Sequence, residues 1–343
     1  MSVAVDRSSS PRDLSRLTLG TAPDSWGVWF PDDPHQVTWR TYLDEIGTAG
    51  YTRTELGPYG FLPTDAEALR DELDSRGLTL TGGTVFAGLH RGAQAYDEAL
   101  EACRVESRLL TALGARHLVL LPEQYTDMHS GELTEPGELA PEQWNDLVTG
   151  MSRLARALHE EFGVSLVFHP HVDTHVDSQE RVERFLTDTD PEVVSLCLDT
   201  GHISYCGGDN VEIIEKFPDR IGYVHLKQVD PQVVARVRAD GLSFIDAVKL
   251  GAMVEPPNGV PDMPSLLSAL GALDRDLFAI IEHDLYPCPP DVPLPIAIRT
   301  RRYLGGCGLG PSGPERSALR MSGRDHTRTA WQSVSCQPKG KTP

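Results

Sequence analysis

VVSLCLDTGH, residues 193–202, places five apolar side chains in a stretch too short for an amphipathic helix, then breaks into Asp, Thr, Gly and His. A strand buried on both faces reads this way, since its two sides both meet apolar layers and its polar residues collect at its end. The same design recurs on either side. VSLVFH (164–169) ends in His169 with His171 just beyond, IGYVHLK (221–227) ends in His225 and Lys227, and LFAIIEHD (277–284) ends in Glu282 and Asp284. Further out, LTLGT near 17, TRTELG near 52, LTLTGGTVF near 78 and HLVLL near 117 bring the short apolar runs to eight. Between them lie stretches of helical period at 66–75 (behind a candidate N-cap, Thr64), 96–113, 142–161 and 179–186.

Eight strand and helix units within residues 17–304 predict an α/β chain folded as a closed (β/α)8 TIM barrel. An open doubly wound sheet is the competitor, but it usually carries a Gly-rich phosphate turn after its first strand, and LGTAPDSWG (19–27) offers no G-x-G-x-x-G. The expected organisation is a flexible segment 1–16, the barrel 17–304 and a disordered tail 305–343. That tail is rich in Gly, Ser, Pro and Arg and lacks periodicity. Two long connections, 122–141 and 229–264, read as elaborated loops over the barrel end, candidate lids. Gly207 and Gly208 read as a turn with Asp209 as N-cap of the next helix, and after the Pro-rich run 286–295 the last helix is expected to begin near Ile296.

The 343 residues are 40% hydrophobic and 24% charged, enough to bury a full core, and no apolar run reaches the roughly 18 residues of a spanning helix. Fifty acidic against 31 basic residues give a net charge of −19, which repels a phosphate backbone and excludes nucleic acid and membrane as default partners. From residue 311 the chain carries six basic and two acidic residues, so the rest is more acidic still. No secretory signal is readable at the start, and a cytoplasmic location is expected. The six cysteines show no C-x-x-C pair and read as free thiols.

On a strand, residues two apart share a face, so polar residues at successive strand ends gather on one rim. Strands five to eight deliver His169 and His171, Asp199 with His202, His225 and Lys227, and Glu282 and Asp284. A mixed imidazole and carboxylate shell suits one divalent ion, Mn2+ or Co2+ ahead of Mg2+ or Zn2+. Glu55, His90 and Glu123, after strands two, three and four, are further candidates as acid, base or hydroxyl anchor. Trp26, with Trp29 and Phe30, is a candidate apolar wall.

Taken in order, FHPH (168–171), LDTGH (198–202), YVHLK (223–227) and AIIEHD (279–284) resemble the xylose isomerase-like barrel family, which includes sugar phosphate isomerases and epimerases, inosose dehydratase and the AP endonucleases of that fold. GTAPDSWG (20–27) and the region from EPPNGVPD (255–262) to RTRRYL (299–304) look most like the inosose dehydratase branch. The resemblance implies a single divalent metal held by Asp199, His225 and Glu282, with His169 where the family carries a Glu. It also implies His202 and Lys227 near the reacting carbon, His171 on the substrate, and a polyol or keto-sugar substrate. The implied chemistry is proton abstraction next to a carbonyl, completed as dehydration or, alternatively, as isomerisation or epimerisation. Glu282 would be ligand and candidate base, with His202 or Lys227 as acid or oxyanion stabiliser. A barrel that binds a sugar without turning it over is the rival from another class, and a metal-dependent hydrolase a third reading. A homo-oligomer is compatible with all of them.

Overall fold

The computed structural model describes residues 13–310. Its barrel strands are β1 (Leu17–Thr21), β2 (Arg53–Thr54), β3 (Thr79–Leu80 and, past Thr81, Gly82–Ala87), β4 (His117–Pro122), β5 (Ser165–Phe168), β6 (Ser195–Asp199), β7 (Ile221–Leu226) and β8 (Leu277–Ile281). All pairings among them are parallel, and β8 returns to β1 with Leu17 opposite Leu277 and Thr21 opposite Ile281. The sheet's two ends are the two pieces of β3. Thr79–Leu80 pairs with β2 and Gly82–Ala87 with β4, so the ring closes through one run of chain, as the eight apolar stretches predict.

Strand parity sorts the apolar residues into two layers. Leu166 and Phe168, Leu196 and Leu198, Val224 and Leu226, and Ala279 and Ile281 face outward into the large core shared with the helices. Val119, Val167, Cys197, Tyr223 and Ile280 face inward and fill the barrel. There the Tyr223 hydroxyl crosses to donate to Thr81 Oγ1 at 2.9 Å. One step of two residues beyond this plug brings His169, Asp199, His225 and Glu282 to the rim. Their position therefore follows from the period of the strand.

The helices largely occupy the stretches expected, with differences that have local causes. Ala66–Asp74 is capped by Asp65, whose carboxylate accepts from the Ala68 N–H, and not by Thr64. Ala93–Ala112 covers the expected 96–113 up to its last residue, Pro141–Phe162 and Gln179–Asp188 span the other two stretches, and Asp209 caps Asn210–Lys216. The last helix starts earlier than Ile296, at Pro293, because Pro293 and Pro295 fall in the first turn, where no backbone N–H is needed.

The connection 229–264 is not a loop. It folds into two helices, Pro231–Asp240 and Phe244–Lys249, and an antiparallel pair, Gln228–Val229 with Met253–Val254. These enclose a second small core of Val172, Tyr205, Val229, Val234, Val237, Phe244, Ala247, Val248, Ala252 and Met253. The boundaries of the barrel also shift. Leu14 is buried and Arg16 pairs with Asp274 and Asp276, so the fold takes in residues ahead of 17. At the other end the last helix runs to Gly306 and Leu309 is fully buried, so the fold extends past 304. The expected disordered tail from 311 onward lies outside the described residues. Cys103, Cys197, Cys206, Cys288 and Cys307 are free, and no described helix is long and apolar enough to cross a membrane.

Candidate active site and metal centre

Asp199 is the hinge of the site. It ends β6 and also caps the helix Thr200–Tyr205: Oδ1 accepts from the Gly201 and His202 N–H groups, both at 2.8 Å. That leaves Oδ2 to face His169 Nε2 (3.3 Å), Lys227 Nζ (3.4 Å) and His225 Nδ1 (3.8 Å). Asp199 and His225 are register partners on adjacent strands, which is why LDTGH and YVHLK meet. Gly201 has its own reason. A Cβ there would lie 2.5 Å from Lys227 Cγ, so the glycine gives the lysine stem its passage to the pocket.

The His225 ring is gripped from both edges, with Nε2 3.0 Å from Glu55 Oε1 and Nδ1 2.9 Å from Glu282 Oε2. Despite the short approach, Nδ1 makes no hydrogen bond of acceptable geometry among the described residues. Burial opposes a charge on this ring, but the acidic groups around it, Cys197, Glu282 and Glu55, outweigh burial and hold the imidazole well above its usual range. A cation bound between Nδ1 and Glu282 would take the place of the ring's second proton. One donor atom from each of His169, Asp199, His225 and Glu282 lies within 4.8 Å of all the others. Two imidazoles and two carboxylates so placed fit a borderline divalent ion.

His169, His225 and Glu282 line a pocket of about 700 Å³ including its open mouth, together with Glu55, His171, His202 and Lys227, while Asp199 lies fully buried behind them. Lys227 Nζ lies 3.1 Å from both Asp284 oxygens, 3.2 Å from Glu282, 3.7 Å from Asp24 and 3.3 Å from His202 Nε2. Burial works against its charge, but Asp199, Asp284 and Glu282 outweigh burial and keep the ammonium ionised. Burial first, then Glu282, raises the Asp24 carboxyl well above its usual range, which favours its protonated form. Burial opposes ionisation of Glu282, yet His225 and Lys227 hold it well below the usual carboxylate range. Burial pushes His171 down to about 4 and His202 well below its usual value, so both imidazoles are neutral. His171 Nδ1 lies 2.7 Å from the Val172 carbonyl, which can only accept, so Nε2 keeps its lone pair.

Three predicted positions fall elsewhere. Trp26 sits on the short turn Pro23–Trp26, which folds its ring back edge-on to Tyr42 and sends Nε1 to Glu45 at 2.7 Å; Trp29 lines the pocket in its place. His90 belongs to the turn Leu89–Arg91 and faces Glu135, and Glu123 pairs with Arg91 at the surface, so neither reaches the pocket. Asp24, Gln124 and Phe244 line the pocket unforeseen. Asp24 lies on the turn Pro23–Trp26, three residues past the end of β1, where strand parity no longer sorts side chains. Phe244 comes from the helical cap and packs on His171 and His202, with ring centroids 5.2 and 5.5 Å away.

Comparisons with known proteins agree with this geometry. Residues 43–299 match the family described as xylose isomerase-like TIM barrel. The chain is 30% identical over 301 residues to the inosose dehydratase of Geobacillus thermodenitrificans (strain NG80-2), covering 86% of this chain and 99% of that one. Among solved structures, the IolI protein with a bound zinc atom superposes with a TM-score of 0.63 at 16% identity, covering 84% and 97% of the two chains. The D-allulose 3-epimerase of Methylomonas sp. in complex with D-allulose gives 0.60 at 18% identity, covering 85% and 97%. Those two likenesses show the fold. Together with the strand-end shell, the family match and the relative of nearly equal length establish that this chain belongs to the xylose isomerase-like TIM barrel family.

Proposed function

We propose that the protein is a metal-dependent dehydratase acting on inosose, a keto-inositol, by removing the proton next to the carbonyl and expelling a neighbouring hydroxyl as water. The observation that carries this is the joint presence of a four-residue donor set and, around it, groups already in opposite protonation states. Burial favours neutral imidazoles at His171 and His202, carboxylates favour the Lys227 ammonium beside them, and burial favours the protonated form of Asp24. Similarity to a protein named inosose dehydratase supports the substrate class.

His169, Asp199, His225 and Glu282 would hold a divalent ion, which when bound would supply Lewis-acid polarisation of the substrate carbonyl. His171 takes the α-proton at Nε2, its ring fixed through Nδ1–H to the Val172 carbonyl. The Lys227 ammonium stabilises the negative oxygen that develops, with His202 holding it from the side. Asp24 gives its proton to the departing hydroxyl, which leaves as water with the C–O electron pair; the new carbon–carbon double bond takes the electrons of the broken C–H bond. Trp29 and Phe244 wall the pocket against solvent.

The test is ultraviolet absorbance of 2-keto-myo-inositol with protein loaded with Mn2+ or Co2+. Growth of an enone or dione chromophore supports dehydration. Recovery of a stereoisomer without absorbance moves the reading to epimerisation, and unaltered substrate that nonetheless binds moves it to the non-catalytic sugar-binding barrel.

A further inference from the structure

A second group of ligand-type side chains lies outside the pocket, and its most informative member is His175. This ring is 3% exposed, in the segment that follows β5. Its Nε2 lies 3.1 Å from the Pro136 carbonyl oxygen, which can only accept, so Nε2 carries the hydrogen. The neutral ring then has a lone pair on Nδ1, and that atom is buried without a hydrogen-bond partner among the described residues. His90, 2% exposed, stands against it with ring centroids 4.4 Å apart. His90 Nε2 in turn lies 3.1 and 3.3 Å from the two Glu135 oxygens. One donor atom from each of His90, Glu135 and His175 lies within 4.8 Å of the others. Arg91 Nη2 holds Glu135 Oε1 at 3.0 Å, which fixes the carboxylate with Oε2 turned toward His90 Nε2.

We infer that His90, Glu135 and His175 form a second divalent metal site, of the kind that takes Zn2+ or Co2+. Two imidazoles and one carboxylate are a ligand set of that chemistry, with water completing the shell. The Pro136 carbonyl plays the part that orients a ligating imidazole through its other nitrogen. The three ligands come from three separate connections: the turn after β3, the rim segment after β4 and the segment after β5. An ion joining them staples the 122–141 connection to its neighbours. That connection carries Gln124 and Met128, both of which line the central pocket. The peripheral ion is therefore a structural clamp on the rim.

The experiment is a titration of metal-stripped, full-length protein with Co2+, read by its visible absorption and by bound stoichiometry. Expected are two equivalents for the unaltered protein, one for Asp199→Ala, and one for each of His175→Ala and Glu135→Gln, with circular dichroism confirming the fold. If His175→Ala fails to fold, Glu135→Gln decides. Should the central site bind no ion, the unaltered protein and Asp199→Ala both bind one equivalent, and Glu135→Gln abolishes it; the clamp then stands while the proposed chemistry falls. Stoichiometry unchanged by both His175→Ala and Glu135→Gln overturns the inference.

Discussion

Replacing Glu106 by Gln should abolish a distinct part of this protein's pH-dependent stability. Glu106 lies on the helix Ala93–Ala112 and is 4% exposed, and its Oε2 has no hydrogen-bond partner among the described residues. Gly83 makes room for it, since a Cβ there would lie 2.6 Å from that oxygen. Burial raises the carboxyl from 4.5 to about 8, against a backbone hydrogen bond at Thr84 that works the other way. In the unfolded chain the group ionises near 4.5, whereas in the folded chain it stays protonated until about 8. Between these values the folded state binds the extra proton, so stability falls as pH rises, at about 1.4 kcal/mol per pH unit. From pH 5.5 to 7.5 the loss attributable to this group comes to about 2 to 3 kcal/mol. Gln is neutral throughout and removes the slope while keeping the shape. Denaturant unfolding of both proteins at half-unit pH intervals measures it: the stability difference should move in favour of Glu106→Gln as pH rises. Parallel curves would refute the buried, protonated carboxyl.

Two further outcomes concern the pocket. Glu55→Leu removes the acceptor for His225 Nε2, and divalent metal affinity by titration should fall roughly 10- to 100-fold; unchanged affinity would mean that Glu55 does not orient the ligand. Lys227→Met removes a positive charge 3.2 and 3.4 Å from oxygens of Glu282 and Asp199, so metal should bind more tightly while kcat falls by about 100-fold or more. A parallel loss of affinity and kcat would point to structural collapse instead.

How far the sequence could be read depended on whether a residue sits within a strand or past its end. Within strands, parity is rigid: Val167, Cys197, Tyr223 and Ile280 fill the barrel, so the residues two further on must meet above it. This made His169, Asp199, His225 and Glu282 legible, and Lys227 one step beyond. Past the strand end the chain turns, and parity carries no information. His90, Glu123 and Trp26 lie on such turns, and their side chains swing to Glu135, Arg91 and Glu45. The helical cap was legible in principle. Asp230, Pro231 and Gly241 are the N-cap, first-turn proline and left-handed terminus of a helix, but its polar surface disguised the period. The closing device of β3 was not legible, because Thr81 continues an apolar run while its hydroxyl donates to the Thr54 carbonyl at 3.1 Å.

The central claim is that the four strand ends hold one ion over the barrel plug. Anomalous diffraction from crystals of the Mn2+-loaded protein tests it most directly. The expected result is a peak within bonding distance of His169, Asp199, His225 and Glu282 that is absent from Asp199→Ala. A pocket with no peak, or a peak not bonded to Asp199, would contradict it.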